Sequence, residues 1–398
     1  MPKGRVFARC LAASVLAGAA SFALITSGMR PIAMAQQAQA LLPVPDSSGP
    51  IRFAVDPSWP RELPNFWILA QVGGMYVDGS NHIWVLQRPG TNTADEVWAT
   101  THTAICCFPA PPVLEFDING NLLQAWGGPG SAPNWPLSEH GIFVDSKGFV
   151  WIGGNGATDR MILKFRQNGS FVMQIGTPGA VDSNLDTVNL GKPADIYVDY
   201  SVNTPNGEVF VADGYGNNRI AVFDATTGKF ITAWGAYGTP YTALPAQIVT
   251  PPYVNFPVPQ PPSKNFGNPV HCITGSRGAS ALLYVCDRVN DRYQVFTKTG
   301  TFKGEFFYAT TTGGPGSVWD LRFWPRGTTK YLIQDDGTNQ VLRVTNPVNG
   351  AVVSQLGHNG RNAGFFHWVH KFGVDSAGDL YTGEVDTGKR LQRLVPVH

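Results

Sequence analysis

Three histidines open three short apolar runs in one register: His140 in HGIFVD, His271 in HCITGS and His370 in HKFGVD. The same slot is filled elsewhere by Gly73 in GGMYVD, Ala194 in ADIYVD and Asp320 in DLRFWP. A lone histidine in an apolar strand is ordinarily a packed core residue, but three of the chain's eight histidines in one register point to a metal site. Three neutral imidazoles converging on one point suit zinc and leave an open position for water or substrate. Another imidazole-binding transition metal (copper, nickel, iron or cobalt) fits the same donors. This register places Asp320 as a fourth ligand or as a group behind the ligands.

Three further residues sit where second strands would end: Arg88 after IWVLQ, Tyr215 after VADG and Arg288 after YVCD. Loops leaving those strands would carry them over the histidine face. Two guanidiniums can hold a carboxylate or an oxyanion, and a phenol can act as a base.

For the histidines to meet, the repeats must close a ring. Self-comparison finds a unit of about 40 residues, the size of a propeller blade. The clearest copy runs from Pro193 to Gly235 as four alternating apolar strands separated by Gly and Asn turns. Six copies are counted, and the NNRI, NDRY and TNQV stretches resemble the NHL repeat signature. The last copy starts at Trp368 and lacks a fourth strand, which Ile51 to Val55 can supply, removing the exposed edge. The expected fold is all-β, a six-bladed NHL-type propeller over residues 51–398, closed by that N-terminal strand. The histidines then fall on alternate blades, about a third of a turn apart. Asp213, Asp287 and Asp335 precede the NHL-like stretches in blades with and without a histidine, so they read as structural residues that tie down turns.

Composition agrees: 43% hydrophobic and 14% charged residues, with 45 Gly and 31 Pro, imply many turns and few long helices. A formal net charge of +1 gives no footprint for nucleic acid or an anionic membrane. Residues 1–35 read as a secretory signal, with Lys3, Arg5 and Arg9 before an apolar stretch and a small-residue site at Ala33-Met34-Ala35. The alternative, an uncleaved anchor helix, is disfavoured because the apolar run is short and interrupted. Residues 36–50 are expected to be a flexible segment. The protein is expected to be secreted or periplasmic, with no membrane contact after cleavage. In an oxidising compartment Cys272 and Cys286, flanking a turn, are expected to pair across adjacent strands. For Cys106 and Cys107, a vicinal disulfide, two free thiols and a metal-binding pair all stay open.

The segments VFVADGYGNNRI, YVCDRVNDRYQVF and DSKGFVWIG resemble the peptidyl-α-hydroxyglycine α-amidating lyase family, and the resemblance covers nearly the whole chain after the leader. It implies a six-bladed propeller whose zinc ligands are His140, His271 and His370, whose base is Tyr215 and whose active-site arginines are Arg88 and Arg288. It further implies cleavage of a hemiaminal C–N bond, giving an amide and glyoxylate, on a small-molecule or peptide substrate supplied by a separate monooxygenase. The family's last histidine is followed by an aspartate that binds structural calcium. Here that residue is Lys371, so an ammonium rather than calcium is expected there. The family's own disulfide cysteines are unmatched, and the Pro-rich insertion from Thr250 to Phe266 is expected to reshape the mouth. Two other functions compete: a non-catalytic NHL propeller that binds a protein or glycan, and a lactonase-like hydrolase, which would need acidic calcium ligands that the ring hardly supplies.

Overall fold

A computed structural model describes residues 40–247, 262–276, 281–326, 328 and 330–397. The expected signal peptide and most of the Pro-rich insertion lie outside the described residues. Six antiparallel sheets are built from β-branched and aromatic alternation, and they form the six blades. The first strands are Gln71–Val77, Glu139–Val144, Asp195–Asp199, Val270–Gly275, Asp320–Trp324 and Val369–Val374. Each packs on the next and the sixth on the first, so the ring closes.

Closure follows the expected route. Arg52–Asp56 pairs antiparallel with Leu391–Val397, from Arg52 opposite Val397 to Asp56 opposite Arg393. Within the segment 36–50, expected to be flexible, the described residues 40–50 include strand pairing. Leu42 and Pro43 add a fifth strand against Val55 and Ala54, and Ser48 bridges Gln355 of the fifth blade. Short apolar strands bury side chains on both faces, so the core sits between blades. One cluster joins Phe143 and Trp151 of the second blade to Ile196, Val209 and Phe223 of the third. Each such fully buried side chain contributes roughly 1.5–3 kcal/mol.

Cys272 lies directly opposite Cys286, and the two are disulfide-bonded as expected. Cys106 and Cys107 are bonded to each other. Closing a 14-residue separation constrains the unfolded chain, so a Cys272→Ser/Cys286→Ser protein should be about 2–4 kcal/mol less stable. Equal denaturant midpoints for wild type and variant would show that the bond contributes nothing.

The repeated aspartates tie turns, with one correction. Asp213 pairs with Arg219 at 2.9 Å and Asp287 with Arg292 at 2.8 Å, all four side chains buried. In the fifth blade that role belongs to Asp336, which pairs with Arg343 at 2.7 Å and accepts from Asn339. Asp335 instead lies opposite Asp320. The fifth blade is therefore displaced by one residue from the sequence alignment: Asp320 pairs with Asp335 as Asp195 pairs with Ala212. Trp319, not Asp320, takes the histidine slot.

Candidate metal centre

The three histidine-bearing strands and the first blade's inner strand each carry a β-bulge near their start. In the fourth and sixth blades the unpaired extra residue is the histidine itself, between Val270 and Cys272 and between Val369 and Lys371. A bulge bends the strand and re-aims its side chain, here toward the axis. In the second blade the extra residue is Gly141, with φ of +75° and a position where a Cβ would stand 2.7 Å from the Ala194 carbonyl. Only glycine fits there without strain.

His140, His271 and His370 meet, buried, with ring centroids 4.6–5.1 Å apart. Each Nδ1 faces a backbone carbonyl of the following blade: His140 to Ala194 at 2.6 Å, His271 to Trp319 at 2.6 Å and His370 to Val72 at 3.2 Å. A carbonyl only accepts, so each Nδ1 carries the proton and each Nε2 presents a lone pair. The Nε2 atoms of His271 and His370 then face one another at 3.2 Å with no proton between them. Two buried lone pairs in opposition are unfavourable until a cation lies between them, so the donor set fits a metal ion. Burial, reinforced by Arg88, Arg288 and Lys371 nearby, holds the imidazoles well below their ordinary pKa, in the neutral form that ligates.

The expected partners gather around this point. The Tyr215 hydroxyl lies 3.1 Å from His140 Nε2, and Arg288 Nη1 donates to it at 3.3 Å. The Arg288 guanidinium stacks on the Trp319 ring at 4.6 Å, and its buried Nε has no hydrogen-bond partner among the described residues. Arg88 is anchored by donation from Nε to the Glu139 carbonyl at 2.7 Å, and it reaches Gln71 and Asn155. That tether also holds the first residue of the strand Glu139–Val144 that carries His140.

Asp320 is not brought to the imidazoles. It lies one residue deeper, accepting from Arg322 Nη1 at 2.8 Å and from the Phe372 backbone N–H at 3.2 Å. Lys371 occupies the same layer. Its Nζ donates to Asp195 Oδ2 at 3.0 Å, on the opposite blade, and to the His271 carbonyl at 3.0 Å, with Asp320 Oδ1 at 3.7 Å. The ammonium thus stands between two carboxylates at the axis. Sequence reasoning missed Asp195, whose ordinary-looking place in DIYVD carries no signal, and Trp319, which was hidden by the one-residue displacement.

No family model matches the chain. It is 29% identical over 300 residues to NHL repeat-containing protein 3 of Mus musculus, covering 72% of this chain and 74% of that protein. It is 26% identical over 196 residues to the Peptidyl-glycine alpha-amidating monooxygenase of Mus musculus, covering 48% of this chain. It is also 26% identical over 191 residues to Peptidyl-alpha-hydroxyglycine alpha-amidating lyase 1 of Drosophila melanogaster, covering 47% of this chain. This chain is a six-bladed β-propeller whose homologues include NHL repeat-containing proteins and amidating enzymes. The matched region spans only 19% of the mouse monooxygenase and 29% of the fly lyase, so the propeller corresponds to one part of each. No helix among the described residues is long and apolar enough to cross a membrane.

Proposed function

We propose that this propeller is an exported metal-dependent lyase that cleaves the C–N bond of a peptidyl-α-hydroxyglycine-like hemiaminal, releasing an amide and glyoxylate. The observation that carries this reading is the convergence of three buried imidazoles with the Tyr215 hydroxyl, 3.1 Å from His140 and 3.3 Å from Arg288. A zinc-like ion on the three Nε2 atoms would supply Lewis-acid polarisation of the hemiaminal oxygen. Tyr215 Oη accepts the hydroxyl proton. The carbon–oxygen double bond forms as the C–N bond breaks, and the phenol returns the proton to the departing amide nitrogen. The Arg288 guanidinium suits the substrate carboxylate. The anchored Arg88 directs its remaining N–H groups toward the oxygen that gains charge. A separate monooxygenase would supply the hydroxylated substrate.

The direct experiment is elemental analysis of purified protein, followed by a glyoxylate assay on an N-acyl-α-hydroxyglycine. About one equivalent of metal with glyoxylate release supports the lyase. Metal without product removes the reaction and leaves the site, and absence of metal removes both. Tyr215→Phe keeps the ring and loses only the proton acceptor. It should lower kcat by about 10²–10⁴-fold with KM and metal content near wild type. An unchanged kcat would take Tyr215 out of the proton transfer.

A further inference from the structure

The inner strands build a second ring away from the histidines. Three residues beyond the histidine slot, the six strands carry Tyr76, Phe143, Tyr197, Thr274, Arg322 and Gly373, all lining a cavity of about 510 Å³. Three residues at roughly 3.3 Å each put this ring about 10 Å along the axis from the metal centre, with the Lys371 layer between. The volume falls in the range of small-molecule sites, about 300–1,000 Å³.

The two halves of the ring differ chemically. Tyr76 and Phe143 have centroids 4.5 Å apart and Phe143 and Tyr197 5.5 Å, so three consecutive blades present one continuous aromatic arc. In the fifth blade stands Arg322, whose side chain is only 12% exposed. Its Nη1 is bound to Asp320 and to the Leu321 carbonyl, and its Nη2 is 3.9 Å from Asp195. Its buried Nε has no hydrogen-bond partner among the described residues. The carboxylates at the cavity rim are already saturated. Asp78 accepts from Trp84, Asp145 from Trp151 and Tyr200, and Asp199 pairs with Lys298 at 2.6 Å. Among the described residues, Arg322 Nε is left without an acceptor, beside a surface that takes a flat ring.

The geometry points to a second binding site at this mouth for a small planar aromatic carboxylate, its ring against the Tyr76–Phe143–Tyr197 arc and its carboxylate on Arg322. Charge-assisted hydrogen bonds to an already desolvated guanidinium, together with aromatic stacking, give such a ligand both affinity and orientation. This site is independent of the lyase reading, because no residue of the metal centre contributes to it.

The test is calorimetric titration of the full protein with 2-naphthoate, the neutral 2-naphthalenemethanol and the cationic 2-naphthylmethylammonium. The expected order is naphthoate at least tenfold tighter than the alcohol, with the ammonium weakest. Thr274→Trp, which fills the cavity from the strand facing Arg322's side of the ring, should weaken naphthoate at least tenfold with metal content unchanged. Arg322→Gln should erase the preference for the acid over the alcohol. Because loss of Arg322 leaves Asp320 without its partner and can compromise folding, Thr274→Trp and the ligand series decide the matter if that variant does not fold. Cation binding equal to or tighter than naphthoate, or naphthoate affinity unmoved in a folded Thr274→Trp protein, would overturn the proposal.

Discussion

His271→Ala protein is expected to retain almost no metal after dialysis, where the wild type keeps about one equivalent, and to lose glyoxylate release with it. The histidine supplies one of the three Nε2 donors gathered among the described residues, aimed by its Nδ1 contact to the Trp319 carbonyl at 2.6 Å, so its loss leaves two. Changing a group that merely orients a ligand already costs 10–100-fold in metal affinity, so removing a ligand should cost at least about 100-fold. The fold should survive, because the bulge that presents His271 is held by its neighbours Val270 and Cys272, the latter in a disulfide. Circular dichroism and metal analysis on the same preparation separate the two effects. Full retention of metal by a folded His271→Ala protein would place the ion elsewhere.

The largest stability effect is expected at Lys371. Its ammonium is buried with Asp195 at 3.0 Å and Asp320 at 3.7 Å, and removing one partner of a buried ion cluster typically costs about 3–5 kcal/mol. Lys371→Met should therefore unfold at distinctly lower denaturant. Adding Asp195→Asn should recover part of the loss, because it removes the carboxylate nearest the lost ammonium. Burial already pushes the Asp320 carboxyl up, opposed by Arg322 and Lys371. Without the ammonium it rises further. A carboxyl whose folded pKa lies above its unfolded value favours folding when protonated and loses that contribution as pH rises through the folded pKa. The deficit of Lys371→Met should accordingly be larger at pH 8 than at pH 5. Equal midpoints for variant and wild type at both values would remove Lys371 from the structural account.

Lys371 also donates to the His271 carbonyl, so it steadies one metal ligand through the backbone while balancing charge. Three layers therefore stack along one axis: imidazoles, then a compensated charge cluster, then an aromatic ring with a guanidinium. The middle layer lies between the metal centre and the cavity.

Much of this was legible from residues alone. His140, His271 and His370 stand out because the repeat is regular enough to show one residue type recurring in one slot. Arg88, Tyr215 and Arg288 follow because each stands at or just beyond the end of a second strand. The Cys272–Cys286 pair was visible from its flanking positions around a turn. The fifth blade was misaligned because aspartate stands both at the slot's neighbour and in the pair Asp335-Asp336, so a shift of one residue still matched aspartate to aspartate. Side chains alternate with a period of two, so such a shift moves a residue to another layer. Only strand pairing removes the ambiguity.

The order of residues along the chain determines which types recur, and hence the propeller, its blade number and its histidine set, since periodicity is a local property of the sequence. Contacts across the axis are decided in three dimensions. Lys371 meets Asp195 across 176 positions of sequence, and Tyr76, Phe143 and Tyr197 form one surface from three separate repeats. These meetings depend on ring closure and on where each strand bulges, and neither leaves a mark in any single repeat.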